Sequence, residues 1–290
     1  MIKVTNLTKK FDEITALDNF NMNVEKGAIY GLVGPNGAGK TTIIKTLIGV
    51  YKQDSGEVVI GNENEKITKQ DIVYVSDDLY FFPTYTILEM AKFYAGIYKN
   101  FDWDTFNNLK EIFNIDTKRK AVKLSKGMKK QVAFWLTISC RPKIMLLDEP
   151  IDGLDPIMKK KVWKLLLEDV NINKTTVVVS SHNLKELEDV CTNLGIIKNG
   201  KMELEKSLNK LEKNIHKIQI AFKNDVNFKK DNLEILKQEK NGSVYNLIIK
   251  GEKQEIEKTL RKYNPIILDF IPLNLEEVFI YEMDGDIDDK

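Results

Sequence analysis

The residues of this chain best suited to chemistry lie in a glycine-rich segment, residues 34–41 (GPNGAGKT). Glycines let backbone N–H groups curl around an anion, because no Cβ stands in the way. The pattern Gly, any four residues, Gly-Lys-Thr binds phosphate: Lys40 would reach the β- and γ-phosphates, and the Thr41 hydroxyl would hold Mg²⁺. The residues expected to cradle the phosphates are Gly34, Asn36, Gly37, Ala38, Gly39, Lys40, Thr41 and Thr42.

The flanking segments agree with a phosphate loop. Residues 28–33 (AIYGLV) form an apolar run that is typical of a buried strand. Residues 42–48 (TIIKTLI) are typical of the start of a helix, whose dipole would face the anion. The alternative, a glycine-rich turn without a ligand, is disfavoured because both flanking patterns fit a phosphate-binding loop.

Two acidic residues follow a second apolar run. Residues 144–147 (IMLL) are typical of a buried parallel strand, and an α/β sheet presents its chemistry at the C-terminal ends of such strands. Asp148 could hold Mg²⁺ through water, and Glu149 could polarise an attacking water. The alternative is a strand that simply ends in solvated acids.

Two further sites are weaker when each is taken alone. Ser125 and Gly127 precede a helix predicted over 129–140, where they would form a second anion site or an ordinary helix cap. His182 follows a β-branched strand, and a histidine in that position is commonly structural. The order and spacing of all four sites favour the functional interpretation of each.

Together, these segments resemble the nucleotide-binding subunit of an ABC transporter, over residues 1 to about 205. The resemblance identifies residues 34–41 as the Walker A loop and Asp148 as the end of Walker B. It also matches residues 124–128 (LSKGM) to the LSGGQ signature and residues 151–155 (IDGLD) to the D-loop. An α/β P-loop NTPase fold, ATP and Mg²⁺ as cofactors, and ATPase activity follow as expectations.

The resemblance also implies roles for single residues. Glu149 matches the catalytic glutamate and His182 the switch histidine, both acting with Lys40 at the γ-phosphate. Phe11 matches the aromatic residue that stacks on adenine, although a phenylalanine there could instead belong to the core. In this family two subunits sandwich each ATP, so we expect a second ATP-binding subunit as partner. A homodimer is favoured, and a dimer with a different ATP-binding subunit is the alternative. The residues expected to act across the dimer are Ser125, Gly127 and Asp155.

Two departures from the family pattern indicate a branch. The signature contains Lys126 where the family has glycine, which adds a charge near the partner's nucleotide or is simply a solvated side chain. Asp77 occupies the position of the family's Q-loop glutamine. A carboxylate still suits a hard cation, so Asp77 remains a candidate metal ligand beside Thr41 and Asp148. Both departures look like the ABC-2-type exporter branch.

Composition limits the partners that this chain can have. The 290 residues carry a formal net charge of +1, which argues against a general nucleic-acid binder. No apolar run approaches 18 residues and no signal segment is visible, so we expect membrane contact only through a permease, at the cytoplasmic face. Cys140 and Cys191 lie in apolar contexts without metal-ligand spacing, which predicts reduced, buried thiols.

The pattern along the chain predicts two domains. An ABC nucleotide-binding domain is expected over 1–208, with a RecA-like core, an antiparallel β subdomain in residues 2–33 and a helical subdomain at about 76–140. A small α+β accessory domain is expected over 209–290. Predicted helices are 87–98, 103–113, 129–140, 156–170, 184–190, 253–263 and 273–279. Further predicted strands are 56–60, 72–75, 175–180, 217–222, 244–249 and 266–271.

The start of the helical subdomain is unusually aromatic. Tyr80, Phe81, Phe82, Pro83 and Tyr85 fall within six positions. Tyrosine and phenylalanine are favoured as interface anchors, so these residues could line a groove for a helix of a permease. The alternative is a satellite of the hydrophobic core.

Three functions are compatible with these observations. The favoured one is the ATP-hydrolysing motor subunit of an exporter that works through a separate permease, with amphipathic or antimicrobial peptides, toxins or drugs as cargo. A soluble ABC-type ATPase acting on ribosomes or nucleic acid is the alternative. A non-hydrolysing regulator is disfavoured because Lys40, Asp148, Glu149 and His182 are all intact.

Overall fold

The computed structural model describes residues 1–62, 65–208, 215–223, 233–273 and 277. The chain divides into two compact units, Met1–Glu205 and Lys206–Lys290. The strands of the first unit are β1 (Ile2–Phe11), β2 (Ile14–Val24), β3 (Ile29–Val33), β4 (Ser55–Asn62), β5 (Glu65–Lys66), β6 (Ile72–Val75), β7 (Ile144–Asp148), β8 (Thr176–Ser181), β9 (Asn193–Lys198) and β10 (Lys201–Ser207). Its α-helices are α1 (Lys40–Leu47), α2 (Ile87–Ile97), α3 (Trp103–Phe113), α4 (Lys126–Ser139) and α5 (Pro156–Asn173).

An antiparallel sheet opens the first unit. Strand β1 pairs with β2 on one side and with β4 on the other, in the order β2-β1-β4-β5. Alternation places Ile2 and Val4 of β1 in the core, because successive side chains of a strand point to opposite faces. Leu7 is also buried, out of this alternation, after a register shift between Val4 and Leu7. The prediction that residues 2–33 form antiparallel strands is correct for β1 and β2 and wrong for β3, which belongs to the parallel sheet.

The parallel sheet is the scaffold of the site. Its order is β10-β9-β3-β8-β7-β6, and β3 pairs in parallel with β8 and β9, as β7 does with β6 and β8. Every residue of β3, β7 and β8 is buried, which fits the apolar runs 28–33, 144–147 and 177–179. The C-terminal ends of β3, β7 and β8 therefore bring Gly34, Glu149 and His182 to the same edge of the sheet.

Three helices fill the region between β6 and β7. Thr86 and Glu89 form a reciprocal capping box at the start of α2, and Asp102 caps α3. Helix α4 begins at Lys126, three residues before the predicted start, because Ser125 is its N-cap. The Trp135 ring of α4 stacks on Phe106 of α3 at a centroid distance of 4.6 Å.

One predicted helix is wrong. Residues 184–190 contain only a 3-10 turn, Leu184–Glu186, which is followed by further turns. The backbone N–H of Leu187 donates to Leu184 (3.0 Å), and that of Val190 donates to Leu187 (3.2 Å). These successive three-residue turns bury Leu184, Leu187 and Val190 at a spacing that resembles a helical face.

The second unit contains a small sheet and a helix. Its strands are β11 (Ile215–Ala221), β12 (Glu234–Asn241), β13 (Val244–Lys250) and β14 (Ile267–Ile271), with helix α6 (Lys253–Arg261). The sheet is antiparallel in the order β12-β13-β11-β14, and Ile256 and Leu260 of α6 join its hydrophobic cluster. The predicted α+β composition is confirmed here; the terminal helix predicted over 273–279 lies outside the described residues apart from 273 and 277.

Candidate functional site

The glycine-rich loop curls around the end of the Lys40 side chain. Gly39 has a φ of 112°, which disfavours any residue with a Cβ, and a Cβ on Gly34 would lie 2.3 Å from the Ile197 carbonyl oxygen. The Lys40 side chain is 6% exposed, and its Nζ donates to the carbonyl oxygens of Gly34 (2.6 Å) and Pro35 (3.2 Å). The loop therefore needs glycine at both positions and has the compact backbone that an anion cradle requires.

Thr41 and Asp148 form a hard-oxygen pair between α1 and β7. The Thr41 hydroxyl donates to Oδ2 of Asp148 (2.7 Å), and the Ser180 hydroxyl donates to Oδ1 (2.6 Å). Asp148 is buried, so both carboxylate oxygens are held in place. A hydroxyl and a carboxylate are ligands that Mg²⁺ prefers, so these residues fit the predicted metal. Among the described residues, no group of three or more His, Cys, Asp or Glu side chains could hold a metal.

Glu149 lies between the phosphate-loop lysine and the histidine that follows β8. Its Oε2 is 2.9 Å from Nδ1 of His182, and its Oε1 is 3.3 Å from Nζ of Lys40. Its backbone N–H donates to the Ser180 hydroxyl (3.1 Å), and its φ of 45° turns the chain sharply after β7. Oε1 is buried and accepts no hydrogen bond within the described ranges. This carboxylate has the placement expected of a general base.

A cavity of about 450 Å³ opens over the loop. Its lining residues are Ile14, Thr15, Ala16, Asn36, Gly37, Ala38, Gly39, Lys40, Thr41, Thr42, Asp77, Glu149, Asn199 and Gly200. Residues 14–16 and the turn at Asn199 and Gly200 were not predicted as part of a site. The Asn-Gly dipeptide signals a tight turn between strands, but that signal carries no information about a nucleotide.

Phe11 is not among the residues that line this cavity. Its ring is 37% exposed and packs edge-on against Tyr51 at a centroid distance of 5.0 Å. The alternative of a core phenylalanine is therefore wrong, and the role in stacking on adenine stays a prediction.

The signature segment and the D-loop cap two helices. Ser125 accepts a hydrogen bond from the Met128 backbone (3.2 Å), and Asp155 accepts two from the first turn of α5. A Cβ on Gly127 would lie 3.0 Å from a D-loop carbonyl oxygen, so the two segments approach closely. None of Ser125, Gly127 and Asp155 lines the cavity of its own chain.

Lys126 has a partner in the D-loop. Its ammonium group lies 3.1 Å from the Asp152 carboxylate, and this hydrogen bond raises the pKa of Lys126 and lowers that of Asp152. Both side chains are about half exposed or more, so the pair contributes little stability. Lys126, which stands where the family has glycine, therefore links the signature to the D-loop through Asp152.

Asp77 lines the cavity and also forms an ion pair that was not predicted. Its Oδ1 accepts a hydrogen bond from Nζ of Lys130 on α4 (2.9 Å). The Lys130 side chain is 1% exposed, and its Nζ also donates to the backbone carbonyl of Glu149. Lys130 was not predicted as a functional residue, because it follows Lys129 and the sequence pattern does not show which of two adjacent lysines is buried.

The aromatic segment is divided by the fold. Phe82 contacts three rings, those of Tyr80, Tyr85 and Phe93, at centroid distances of 5.9, 5.0 and 5.1 Å. We call these four residues the Phe82 cluster. Tyr80 is 74% exposed, whereas Phe81 is buried, so the expectation that Phe81 lines a groove is wrong. Phe93 of α2 was not predicted as part of this surface. It belongs to the Phe82 cluster because the loop that contains Phe82 folds back onto α2.

A parallel sheet that brings a phosphate loop, two acids and a histidine to one edge defines a P-loop NTPase. Residues 17–152 match the family described as ABC transporter. The ABC transporter ATP-binding protein YtrB of Bacillus subtilis (strain 168) is 33% identical, over 98% of this chain and 99% of YtrB. The lantibiotic transport ATP-binding protein SrtF of Streptococcus pyogenes is 33% identical, over 79% of this chain and 99% of SrtF. This chain belongs to the ABC transporter ATP-binding proteins.

Solved structures agree with this assignment. The dimeric structure of MJ0796, a bacterial ABC transporter cassette, has a TM-score of 0.62 and 26% identity, over 72% of this chain and 99% of that one. A second dimeric structure of MJ0796, in a post-hydrolysis state with ADP and Pi, has a TM-score of 0.60. The predicted family, P-loop fold and ATPase activity are confirmed: the chain is the ATP-binding and ATP-hydrolysing subunit of an ABC transporter, which dimerises and pairs with a permease. In the described part of the chain, no helix is both long and apolar enough to cross a bilayer.

Proposed function

We propose that this subunit powers export through a separate integral-membrane permease of the ABC-2 type, as a homodimer at the cytoplasmic face of the cell membrane. The observation that carries the proposal is the exposed Phe82 cluster, which offers apolar surface to a short permease helix. Asp77 and Lys126, the two departures from the family pattern, support the ABC-2 branch. The relative SrtF is named for lantibiotic transport, which supports peptides as cargo.

The catalytic step rests on Glu149, His182 and Lys40. Glu149 orients and deprotonates the water that attacks the γ-phosphate. His182, which lies 2.9 Å from the Glu149 carboxylate, contacts the γ-phosphate and holds that geometry. Lys40 exchanges its carbonyl acceptors for the β- and γ-phosphates and offsets the charge that develops on them.

Mg²⁺ belongs beside the phosphate loop. Thr41 and Asp148 supply the oxygens, because their side chains already meet at 2.7 Å. Asp77 is the third candidate and would act through water, since its carboxylate lines the same cavity. Bound Mg²⁺ supplies positive charge to the phosphates.

Each nucleotide is completed by a second copy of the chain. Ser125 and Gly127 of one copy contact the γ-phosphate held by the other, and Asp155 acts across the same interface. This arrangement is supported by the exposed position of these helix N-termini outside the cavity of their own chain. Phe11 packs against adenine through its exposed face.

A permease helix docks on the Phe82 cluster. Coupling requires that an apolar face of the permease helix insert among Phe82, Tyr85 and Phe93. Closure of the ATP sandwich then moves the membrane segments. Amphipathic or antimicrobial peptides, toxins or drugs are the proposed cargo. No cargo contact is assigned to this subunit, because the permease encloses the transport pathway.

Phe82→Glu tests the docking. A charge in the centre of the cluster should prevent co-purification of the permease from solubilised membranes, while ATP affinity of the isolated subunit stays within about twofold of the parent. Ile172→Glu is the matched control, because Ile172 is 76% exposed at the end of α5 and outside the cluster. Recovery of a ribosomal protein in place of a permease by crosslinking at Tyr85, or normal permease binding by Phe82→Glu, would contradict the proposal.

A further inference from the structure

Lys130 is a buried cation that contacts two residues of the site, Asp77 and Glu149. It lies on α4, two residues after the signature, and its side chain is 1% exposed. A lysine is almost never fully buried unless its charge is paired. Lys130 lies outside the segments that match the family motifs, so its role is inferred from its contacts.

The first contact neutralises the charge. Nζ of Lys130 lies 2.9 Å from Oδ1 of Asp77, which follows β6 at the edge of the parallel sheet. Asp77 is itself half exposed, so the carboxylate is solvated while the ammonium is not. Loss of Asp77 would therefore leave a buried, unpaired cation, whereas loss of Lys130 would leave a carboxylate that water can solvate.

The second contact is to the residue that acts as the general base. Nζ of Lys130 donates to the backbone carbonyl of Glu149, whose N–H donates to the Ser180 hydroxyl. Hydrogen bonds thus hold both the backbone carbonyl and the backbone N–H of Glu149. The φ of 45° at Glu149 is a sparsely populated conformation for a residue with a side chain, and such a conformation persists only where the surroundings enforce it.

We propose that Lys130 is a positioning residue for hydrolysis: it holds the Glu149 backbone by its carbonyl, and Asp77 fixes Lys130. The carboxylate of Glu149 is thereby aimed between Lys40 and His182. The inference rests on the proposed role of Glu149 as general base. It assigns Asp77 a function through Lys130 that is separate from any contact with Mg²⁺.

The bridge also connects three elements. Lys130 belongs to the helix that carries the signature, Asp77 leads from β6 toward the Phe82 cluster, and Glu149 directly follows β7. A displacement of α4 relative to the sheet would withdraw Nζ from the Glu149 carbonyl. The base is therefore held in its working geometry only while the helix and the sheet keep this arrangement.

The test compares Lys130→Met, Asp77→Asn and the double variant in the full chain. Lys130→Met removes both the charge and the donor, and we expect kcat for ATP hydrolysis to fall about 10- to 100-fold, since a small misplacement of a catalytic group has that effect. The KM for ATP and the affinity for a fluorescent ATP analogue should change by less than about twofold, because Lys40 and the loop are untouched. Lys164→Met is the control: Lys164 pairs with Glu168 on the exposed face of α5.

The double variant separates positioning from simple charge pairing. Asp77→Asn alone should lower the urea midpoint of unfolding most, because it leaves the buried ammonium without its carboxylate. Adding Lys130→Met should restore that midpoint but leave kcat low, because the Glu149 carbonyl still lacks its donor. Recovery of wild-type kcat in the double variant would show that the pair is only structural and would overturn the proposal.

Two further measurements test the contact of Lys130 with the Glu149 carbonyl and the dependence of hydrolysis on Mg²⁺. Lys130→Gln keeps a donor without the charge, so it should retain more activity than Lys130→Met; equal activity of the two would contradict a contact to the carbonyl. The Mg²⁺ concentration for half-maximal hydrolysis should be unchanged in Lys130→Met, which keeps the Asp77 carboxylate at the cavity; an increase of tenfold or more would mean that Lys130 acts through the metal site and would overturn the positioning role. If Glu149→Gln is inactive while Lys130→Met is normal, the inference fails and the proposed function stands.

Discussion

Replacement of Glu149 by glutamine tests the chemistry most directly. Glutamine has nearly the shape of glutamate and can still accept a hydrogen bond from His182, whose Nδ1 lies 2.9 Å from Oε2. It cannot accept a proton from water. A general base contributes roughly 10²- to 10⁴-fold to a rate, so the barrier should rise by about 3 to 5 kcal/mol and steady-state hydrolysis should become barely measurable.

The same substitution should leave ATP binding intact. Lys40 keeps its acceptors in the loop, and Thr41 and Asp148 are untouched. The Lys40 ammonium loses a carboxylate 3.3 Å away in a buried setting, which should lower the free energy of unfolding without ligand by about 1 to 3 kcal/mol. In the proposed cycle the ATP sandwich opens only after hydrolysis, so the variant should accumulate as an ATP-bound dimer.

The assays are phosphate release, binding of a fluorescent ATP analogue and size-exclusion chromatography with Mg²⁺-ATP. Glu168→Gln on the exposed face of α5 is the matched control and should behave like the parent. Steady-state hydrolysis within about threefold of the parent in Glu149→Gln would refute the role of Glu149 as general base. Inactivity combined with lost ATP binding would mean that the Glu149 carboxylate shapes the nucleotide pocket. That result would also refute the role of Glu149 as a general base that leaves ATP binding unaffected.

Three further predictions concern the loop, an ion pair and the thiols. Lys40→Ala should weaken ATP binding at least tenfold, measured with the same fluorescent analogue, because the loop loses its cation; unchanged affinity would contradict the phosphate role. The Thr105 hydroxyl lowers the pKa of Asp102, so Asp102 stabilises the fold above about pH 4 and that contribution is lost as the pH falls through its lowered pKa. Asp102→Asn should therefore lower the melting temperature at pH 7, and the gap to the parent should close in a melting series toward pH 3; a gap that persists would contradict this account. Burial raises the pKa of the Cys140 and Cys191 thiols, so neither should react with a thiol-specific dye at pH 8 until the protein is unfolded, and rapid labelling of the native chain would be the contrary result.

Features that depend on a few neighbouring residues were predictable from the sequence. The phosphate loop is a local pattern, since its glycines let the backbone N–H groups curl around an anion. The continuous apolar sequences of β3 and β7 indicated strands buried on both faces, and the parallel sheet confirms them. Helix α3 was predicted at its observed bounds, Trp103–Phe113, and the structure shows that Asp102 caps its first turn.

Features that depend on where distant segments meet were decided by the tertiary structure. The turns at residues 184–190 repeat the burial spacing of a helix, and only the packing of that segment reveals the difference. Phe81 and Phe82 are adjacent and chemically alike, yet the fold buries the first and places the second among partly exposed rings.

The site itself shows the same division. The types of Lys40, Asp148, Glu149 and His182 follow from the sequence, and strand order brings them together because parallel strands end at one edge of a sheet. The ion pair of Lys130 with Asp77 joins residues 53 positions apart. The sequence by itself determined the family and the chemical groups. Only the tertiary structure decided which lysine is buried against the Glu149 backbone, because burial depends on contacts that no local pattern records.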